Sequence, residues 1–261
     1  MNQKVRASIA IATALLFAFS AQSCAAQAHA SHVATMAGTF DVSASGSATY
    51  TIPIRVAPGS AGTEPKISIT YDSQAMGGAL GAGWSIAGLS TITRGPRNLF
   101  LDKAHSGVRL DDTDVLFLDG ERLIAVRTTG VGASRTVEYR KAVDDTTRIL
   151  QMGATLDTSR FRVDTKGGLR LYFDGANNSS VKLADGFTLV FAASRIVDTA
   201  GNYIEFRYCA NGNGDYDVQS IRYTGHETRD GGGNVTSDRR PYASIEFEYE
   251  NAPRPLDAYI A

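Results

Sequence analysis

Hydrophobic and polar residues alternate along much of the chain after its first forty residues. Apolar side chains from Tyr50 to Val56 alternate with polar residues or proline, and the segment ISITY (67–71) repeats the scheme. A period of two predicts strands with one buried face. Pro53 cannot donate a hydrogen bond to a neighbouring strand, so the first strand is predicted to lie at a sheet edge or to contain a bulge.

Two segments have the pattern of a β-hairpin. Apolar runs at 115–118 and 123–126 flank Asp119-Gly120, which favours the left-handed backbone of a tight turn. The segment RFRVDTKGGLRLYF has alternating runs around a turn at 166–168, and further strand-like segments are FTLVFA, NYIEFRY, VQSIRY and ASIEFEYE. No window beyond the N-terminus has an apolar period of 3.6 residues. The sequence therefore predicts an all-β fold of twisted antiparallel sheets and hairpins with few or no helices.

Two polar segments are interpreted as solvated loops. The stretch GHETRDGGGNVTSDRRP (225–241) is polar and rich in glycine, and its composition predicts a mobile loop or a soft internal boundary. The acidic run from Asp111 to Asp114 is interpreted as a solvated turn.

The first thirty residues have the organisation of a secretory signal peptide. A basic start at Lys4 and Arg6 precedes an apolar run, and Ala-x-Ala cleavage sites follow at 26–30. The apolar run is shorter than the roughly 20 residues that a membrane-spanning helix needs. We therefore predict a signal peptide at 1–30, no membrane span, and a mature chain that is secreted, periplasmic or associated with the cell envelope. Lipidation at Cys24 stays open as an alternative, although the residues before it match a lipobox poorly.

Charge limits the kinds of partner that the chain can bind, and cysteine content limits its disulfide and thiol chemistry. The chain has 26 basic and 27 acidic residues, and removal of the two basic residues in 1–30 would change its net charge from −1 to −3. Overall charge therefore predicts no binding to nucleic acid or anionic membranes. Cys209 would be the one remaining cysteine, without an internal disulfide partner. With no histidine near it in sequence, it is interpreted as a small buried apolar residue rather than a reactive thiol.

The stretch GGALGAGWSIAGLSTITRGP (77–96) holds six glycines and the single tryptophan of the chain. It approaches three catalytic or nucleotide-binding motifs and matches none of them. A dinucleotide loop lacks its third glycine, a phosphate loop has Leu89 in place of lysine, and a hydrolase elbow would need one residue fewer around Ser85. We therefore interpret the stretch as structural, with glycines that let strands approach closely and Trp84 buried against them.

Three other candidate sites have simpler structural explanations. The alternating oxygen side chains of NGNGDYD (211–217) resemble a calcium loop, but the glycine and final glutamate are missing, which favours a hairpin loop. Glu246 and Glu248 match the Glu-x-Glu pair of ADP-ribosyltransferases, yet IEFEYE also has a wet face (Glu246, Glu248, Glu250) and a buried face (Ile245, Phe247, Tyr249). The histidines His32, His105 and His226 lie in loop-like contexts without metal-ligand spacing. We therefore predict no catalytic, cofactor-binding or metal-binding residue and no cofactor.

The run from Gly46 to Pro96 resembles the opening of the Salmonella virulence plasmid B protein family. This family includes the B components of insecticidal toxin complexes and many Rhs-type proteins. The similarity rests on the strand ending in Ile-Pro-Ile, the Pro-Gly-x-x-Gly connector, and LGAGWSIAGLSTITR (80–94). Further matches are FLDGERL (117–123), DTAGNYI (198–204) and IRYTG (221–225).

The resemblance implies a β-rich N-terminal module, here residues 31–261, that forms part of a larger β-rich shell. Family members continue into a propeller region and Rhs repeats, and some end in an ADP-ribosyltransferase, so we expect a module truncated at its C-terminal end. The first hypothesis is a non-catalytic scaffold module of a secreted, virulence-associated protein whose partners are other toxin-complex or Rhs-type segments. The alternatives are a free-standing secreted module that binds a surface glycan or protein, and an enzyme.

Overall fold

The computed structural model describes residues 37–76, 80–143, 146–210 and 214–249, and antiparallel strands make up most of these ranges. The strands are β1 (Thr39–Val42), β2 (Ala48–Pro53), β3 (Ser68–Asp72), β4 (Trp84–Ala87), β5 (Thr91–Gly95), β6 (Val115–Leu118), β7 (Glu121–Thr129), β8 (Thr136–Lys141), β9 (Arg148–Met152), β10 (Arg160–Asp164), β11 (Arg170–Phe173), β12 (Ser180–Lys182), β13 (Thr188–Ala192), β14 (Arg195–Val197), β15 (Asn202–Ala210), β16 (Tyr216–Arg229), β17 (Val235–Arg239) and β18 (Ala243–Glu246).

Helical structure is short and sparse within the same ranges. One helix, α1 (Leu99–Asp102), is accompanied by 3-10 turns at Gly132–Ser134, Leu156–Thr158 and Ala176–Asn178. The predicted all-β class is therefore confirmed. The predicted signal peptide and Cys24 lie outside the described residues, and within those residues no helix is long and apolar enough to cross a membrane.

The first four strands form a separate sheet in the order β1-β2-β3-β4, with each strand antiparallel to the next. The prediction that Pro53 marks an edge or bulged strand is wrong, because β2 lies between β1 and β3. Proline is tolerated there because it is the last residue of β2. The pairing with β1 stops at Thr51, so Pro53 has a paired neighbour only on β3.

The second sheet closes on itself through one continuous segment, residues 188–197. Strands β5 to β11 follow one another as neighbours, and the segment pairs with β5 through β13 and with β11 through β14. Between β13 and β14, the N–H of Ala193 donates to the carbonyl oxygen of Ser90 (2.9 Å). The N–H of Ser194 donates to the carbonyl oxygen of Tyr172 (2.8 Å). The segment 188–197 therefore joins β5 to β11, the first and last strands of the row, and the strands form a closed ring.

The interior of this ring is the first hydrophobic core. Its buried side chains come from strands around the ring and from two of their connections: Ile92, Leu116, Leu118, Leu123, Ile149, Leu156, Phe161, Val163, Phe173, Phe191 and Ala193. The rings of Phe161 on β10 and Phe191 on β13 meet edge to face with centroids 4.9 Å apart. This contact joins strands that are not neighbours in the sheet, as expected when a sheet curls around its own core.

Strands β15 to β18, here called the extension, continue the sheet beyond β14. One face of β15 and β16 carries the second hydrophobic core: Ile204, Phe206, Tyr208, Val218, Ile221 and Tyr223. Ile67, before β3, is buried in this core, and Ile86 of β4 packs against it. The four-stranded sheet is thus held to the extension by apolar packing.

The tight turns follow the sequence prediction in one place and contradict it in another. Asp119 and Gly120 have φ of 52° and 81° and join β6 to β7, so the predicted hairpin is confirmed. The predicted mobile loop at 225–241 is wrong, because it contains the end of β16 and all of β17, which pair as a hairpin. Polar composition misled the prediction because β17 is exposed along its whole length and needs no apolar residues.

Asp198 and Asp230 build the same five-residue turn at two places in the chain. In each turn one carboxylate oxygen accepts from the backbone N–H groups two and four residues later, and the other accepts from the side chain of Asn202 or Asn234. Asp198 also accepts from the hydroxyl of Thr63 at 2.6 Å. That bond ties the connector between β2 and β3 to the ring.

The exposed position of Cys209 corrects the prediction of a buried thiol. Cys209 lies on β15 directly after Tyr208, which belongs to the second core. Successive side chains on a strand point to opposite faces, so a residue next to a core tyrosine faces outward. The apolar character of cysteine was a weaker guide than its place in the alternation.

Replacement of Asp198 by asparagine is expected to destabilise the fold in a pH-dependent way. Burial opposes ionisation of Asp198, but the bonds from Thr63, Asn202 and the backbone outweigh it and hold its pKa below the ordinary value of 3.8. A lowered pKa contributes stability that is complete well above 3.8 and is lost as the pH falls through the folded-state value. At neutral pH we expect a loss of about 2 kcal/mol in the free energy of unfolding.

Urea unfolding of wild type and Asp198→Asn at a series of pH values would measure this difference. It should be constant between pH 7 and about 5 and should shrink below that. Asp230→Asn is the matched control, since Asp230 makes the same turn in an exposed hairpin without a threonine partner, and its effect should be smaller. An Asp198→Asn difference that grows on acidification would contradict this account.

Candidate functional site

The glycine-rich stretch forms a strand, a turn and a second strand. Of its residues 77–96, the first three lie outside the described ranges, and the rest contain β4 and β5. A phosphate loop and a hydrolase elbow both place a helix after the glycines, whereas here β5 follows. Ser90, which occupies the serine position of a phosphate loop, donates to the carboxylate of Asp119 at 2.9 Å.

Two glycines in this stretch permit close contacts between β4 and β3. Gly83 and Gly88 both have positive φ, at 78° and 97°. A Cβ atom on Gly88 would lie 2.1 Å from the carbonyl oxygen of Lys66, and one on Gly83 would lie 2.8 Å from that of Asp72. The prediction that these glycines allow strands to approach closely is confirmed.

Trp84 is only partly buried, which corrects the prediction of a buried tryptophan. Its ring lies 5.2 Å from the ring of Tyr71, tilted by 48°. β4 has β3 as its one neighbour in the four-stranded sheet, so Trp84 has a strand beside it on one side. The residue therefore packs at a sheet edge and not within a core.

Arg94 on β5 is the centre of a buried ionic cluster that the sequence analysis missed. Its side chain has no solvent exposure, and its guanidinium bonds Asp114 at 3.1 Å and Asp157 at 2.7 Å. It also donates to the carbonyl oxygens of Asp111 and Thr188. The sequence held one sign of this cluster. Arg94 is a charged residue in an alternating strand, and an acidic run follows it about twenty residues later.

The acidic run at 111–114 is a turn with Asp112 and Thr113 exposed, as predicted, but the interpretation as a solvated turn fails at its last residue, which belongs to this cluster. Asp114 is buried and accepts from the backbone N–H groups of Arg109 and Leu110, both at 2.8 Å. Asp112 accepts from the N–H of Leu156 at 2.7 Å. Arg94 and Leu156 are distant in sequence from the carboxylates that they bond, and a local pattern cannot display such partners. The cluster is satisfied by protein groups and has the character of a structural clamp.

The segment 211–217 follows β15, and its last two residues, Tyr216 and Asp217, belong to the paired strand β16. Ala210 pairs with Tyr216, so it forms the predicted hairpin connection, although residues 211–213 lie outside the described ranges. Burial, and then repulsion from Asp215, raises the pKa of Asp217. No group of three or more His, Cys, Asp or Glu side chains suited to a metal occurs in the described part of the chain.

The remaining candidates are placed along the extension or in a loop. Glu246 and Glu248 are exposed while Ile245 and Phe247 pack on the second core, so the predicted alternation is confirmed for these four. Tyr249, predicted on the buried face, is 37% exposed. Its hydroxyl donates to Val218 at 2.9 Å, and burial raises its pKa to about 12.

The two described histidines lie in different elements of the fold. His105 is in an exposed loop, as predicted, but His226 is in β16 and not in a loop. Its Nδ1 lies 3.3 Å from Oδ1 of Asn202. His32 and Glu250 lie outside the described residues.

A polar surface crosses β11, β14, β15 and β16 on the face opposite the second core. At its centre Glu227 is buried and bonds Arg195 at 3.0 Å and Arg229 at 2.7 Å. The guanidinium carbon of Arg195 lies 4.2 Å from the centre of the Tyr203 ring, and that of Arg229 lies 5.8 Å from the centre of the Tyr172 ring. These contacts fix the planes of both arginines.

A second surface feature is apolar. The side chains of α1 stand out of the protein, with Leu99 67%, Phe100 85% and Leu101 50% exposed. The helix is held in place: Asn98 caps it through the N–H of Leu101 (2.8 Å), and Asp102 forms an ion pair with Arg122. Arg97 pairs with Ser106 across the loop. The exposed apolar surface of α1 is therefore a fixed part of the fold.

A comparison with protein families shows which family the chain belongs to. The model of the family described as Salmonella virulence plasmid 65kDa B protein matches residues 42–251. The chain belongs to the SpvB family. The match covers β2 to β18, so it includes the ring, the extension and the glycine-rich stretch. No curated protein matches the chain.

Solved structures share the fold at low sequence identity. The crystal structure of TcdB2-TccC3 has a TM-score of 0.61 and 17% identity over 77% of this chain and 11% of that chain. The Tc holotoxin pore of Photorhabdus luminescens has a TM-score of 0.61 and 15% identity over 77% and 10% of the two chains. The N-terminal domain of effector protein SpvB from Salmonella typhimurium has a TM-score of 0.51 and 18% identity, over 66% of this chain and 63% of that one. The chain thus spans about a tenth of the toxin chains it resembles.

The Gly88→Ala change is expected to destabilise the fold more than Gly62→Ala. Both glycines have positive φ, so both changes carry the left-handed backbone cost of about 1 kcal/mol. Only at Gly88 would the new methyl group meet backbone, since nothing lies within 4 Å at Gly62. We expect a total loss near 3 kcal/mol for Gly88→Ala in thermal or urea unfolding. Equal effects of the two changes would contradict the close-approach explanation.

Replacement of Arg94 by methionine is expected to cost about 3–5 kcal/mol, because it leaves two carboxylates near the core without their cation. Its unfolding in urea should be measured beside Arg94→Met/Asp114→Asn/Asp157→Asn, in which the remaining charges are neutralised. The triple variant should recover part of the lost stability. A triple variant less stable than Arg94→Met alone would show that the charges do not act as a unit.

Proposed function

We propose that this chain is a non-catalytic, N-terminal scaffold module of a secreted, virulence-associated protein of the toxin-complex B or Rhs type. Its partners would be other toxin-complex or Rhs-type polypeptide segments, with which it would form part of a larger β-rich shell. Membership of the SpvB family supports this proposal, as does a fold shared with about a tenth of much longer toxin chains. The predicted signal peptide would supply the route of export.

The observation that carries the proposal is the exposed apolar surface of α1. Three consecutive large apolar side chains on one short helix are costly to leave in water, and contiguous patches of this kind mark interaction sites. Because the cap and the ion pair of α1 hold it rigidly, little ordering entropy would be lost on docking. A scaffold module needs such preformed contact points.

The extension supplies a second reason. β18 pairs with β16, and on its other side it has no strand partner among the described residues. An open strand edge can accept a strand from a neighbouring polypeptide segment. The proposal also states that the module has no catalytic activity. It is supported by the alternation of the strand, in which Glu246 and Glu248 simply face solvent.

The α1 surface should become buried when the partner segment is present. The chain should be co-expressed with the toxin-complex or Rhs-type polypeptide encoded beside it, and hydrogen exchange of residues 97–106 compared with that of the chain alone. We expect slower exchange in the complex and at least tenfold weaker association for Leu99→Ser/Phe100→Ser, because two large apolar side chains would no longer be buried.

Val131→Ser is the matched control, since Val131 is also an exposed apolar residue but has glycines on both sides in sequence, and association should be unchanged. A neighbouring sequence that encodes no such polypeptide, or a complex indifferent to the α1 changes, would overturn the scaffold proposal. Transfer of label from NAD by the purified chain would overturn its non-catalytic part.

A further inference from the structure

Two adjoining clefts open on the polar face of β11, β14, β15 and β16. The first, of about 270 Å³, is lined by Tyr172, Asp174, Ala176, Asn177, Ser194, Arg195, Glu205 and Arg229. The second, of about 490 Å³, extends past Arg229 toward Gly168, Arg170 and the turn at 198–201. Each approaches or lies within the range of about 300–1,000 Å³ that is usual for small-molecule sites. Arg229 lines both, so the two clefts adjoin at this residue and are together called the groove.

The charges in this groove are largely balanced before any ligand arrives. Glu227 bonds both Arg195 and Arg229, and Glu205 lies 3.6 Å from Arg195. An anionic ligand would meet arginines already neutralised and would also face Glu205 and Asp174. A cationic ligand would face Arg195 and Arg229. The electrostatics therefore favour a neutral ligand.

Hydrogen-bonding capacity nevertheless remains on both sides of the groove. Oδ1 of Asp174 accepts from the hydroxyl of Ser194 (2.7 Å) and the N–H of Ala176 (3.1 Å), and its Oδ2 has no protein partner within the described residues. The side-chain amide of Asn177 donates to Glu205 at 3.2 Å, which leaves its carbonyl oxygen available. An arginine has five N–H donors, and the bonds made by Arg195 and Arg229 use only some of them.

The site is preorganised. Asp174 is oriented by Ser194 and by the backbone, and Asn177 is held at φ 56° in a 3-10 turn with its amide on Glu205. The arginines are fixed by ion pairs with a buried carboxylate and by the neighbouring tyrosine rings. Acceptors and donors thus alternate at fixed positions beside the partly exposed ring of Tyr172. Vicinal hydroxyl groups, each of which can donate and accept, match this alternation.

From this arrangement we propose that the groove binds a neutral oligosaccharide. Asp174 and Asn177 accept hydrogen bonds from sugar hydroxyls, Arg195 and Arg229 donate to them, and the length past Arg229 accommodates further sugar units. The site is independent of the α1 surface and of the scaffold function, and it uses a different face from the second core.

The test is the binding of purified neutral oligosaccharides of two to six sugar units, with sulfated and sialylated ones for comparison, to the whole chain on an array. Proton–nitrogen NMR spectra with glucose, galactose, mannose and N-acetylglucosamine, at up to tens of millimolar, should accompany it. We expect binding to a subset of neutral sugars and shifts at the Asn177 side chain and the arginine Nε groups. Asp174→Asn should weaken binding about tenfold, because its Oδ2 acceptor becomes a donor.

Asp185→Asn, in the exposed turn between β12 and β13, is the matched control and should bind like wild type. Circular dichroism of each variant would show that the fold is kept. The proposal is overturned by the absence of neutral-sugar binding on the array together with the absence of shifts at Asn177. It is also overturned by preference for anionic sugars, or by binding that Asp174→Asn leaves unchanged.

Discussion

The pairing of residues 188–197 with two strands at once is the constraint on which the remaining architecture depends. The segment gives β5 a partner through its first half and β11 a partner through its second half. With the row of strands closed, the aromatic and aliphatic side chains of seven strands and their connections can share one interior. The extension begins where the same segment continues, since β14 also pairs with β15. The groove and the second core are therefore placed by the way the ring is closed.

Buried ion pairs and hydrogen bonds fix the positions of segments around this closed sheet that apolar packing alone would not determine. Arg94 joins β5 to the 111–114 turn and to the 3-10 turn at 156–158, near the start of β13. Asp198 joins the end of β14 to the connector of the first sheet. Buried ion pairs are weak contributors to net stability, but breaking one partner is costly, which fixes the relative positions of the segments they join.

Most of the local structure could be predicted from the sequence, but little of the long-range structure could. Alternation predicted β3, β10, β11 and β18, and Asp119-Gly120 predicted a hairpin, because each depends on neighbours a few residues away. Cys209 and the hairpin inside 225–241 were mispredicted because residue type and polar composition were given more weight than the alternation of the strands. The ion pairs of Arg94, in contrast, depend on strand order. The groove at Arg195 was missed for the same reason: its lining comes from 168 to 229, and no spacing brings these residues together before the sheet forms.

The closing segment also has a consequence for biosynthesis. β5 and β11 expose unpaired edges until residue 197 has left the ribosome, since the strand that covers both is made about ninety residues after β5. Contacts of such large sequence separation form slowly, and open edges in a nascent chain invite pairing with other chains. The early strands thus stay in an aggregation-prone form longest, so chaperone protection during synthesis would matter most over residues 91 to 197.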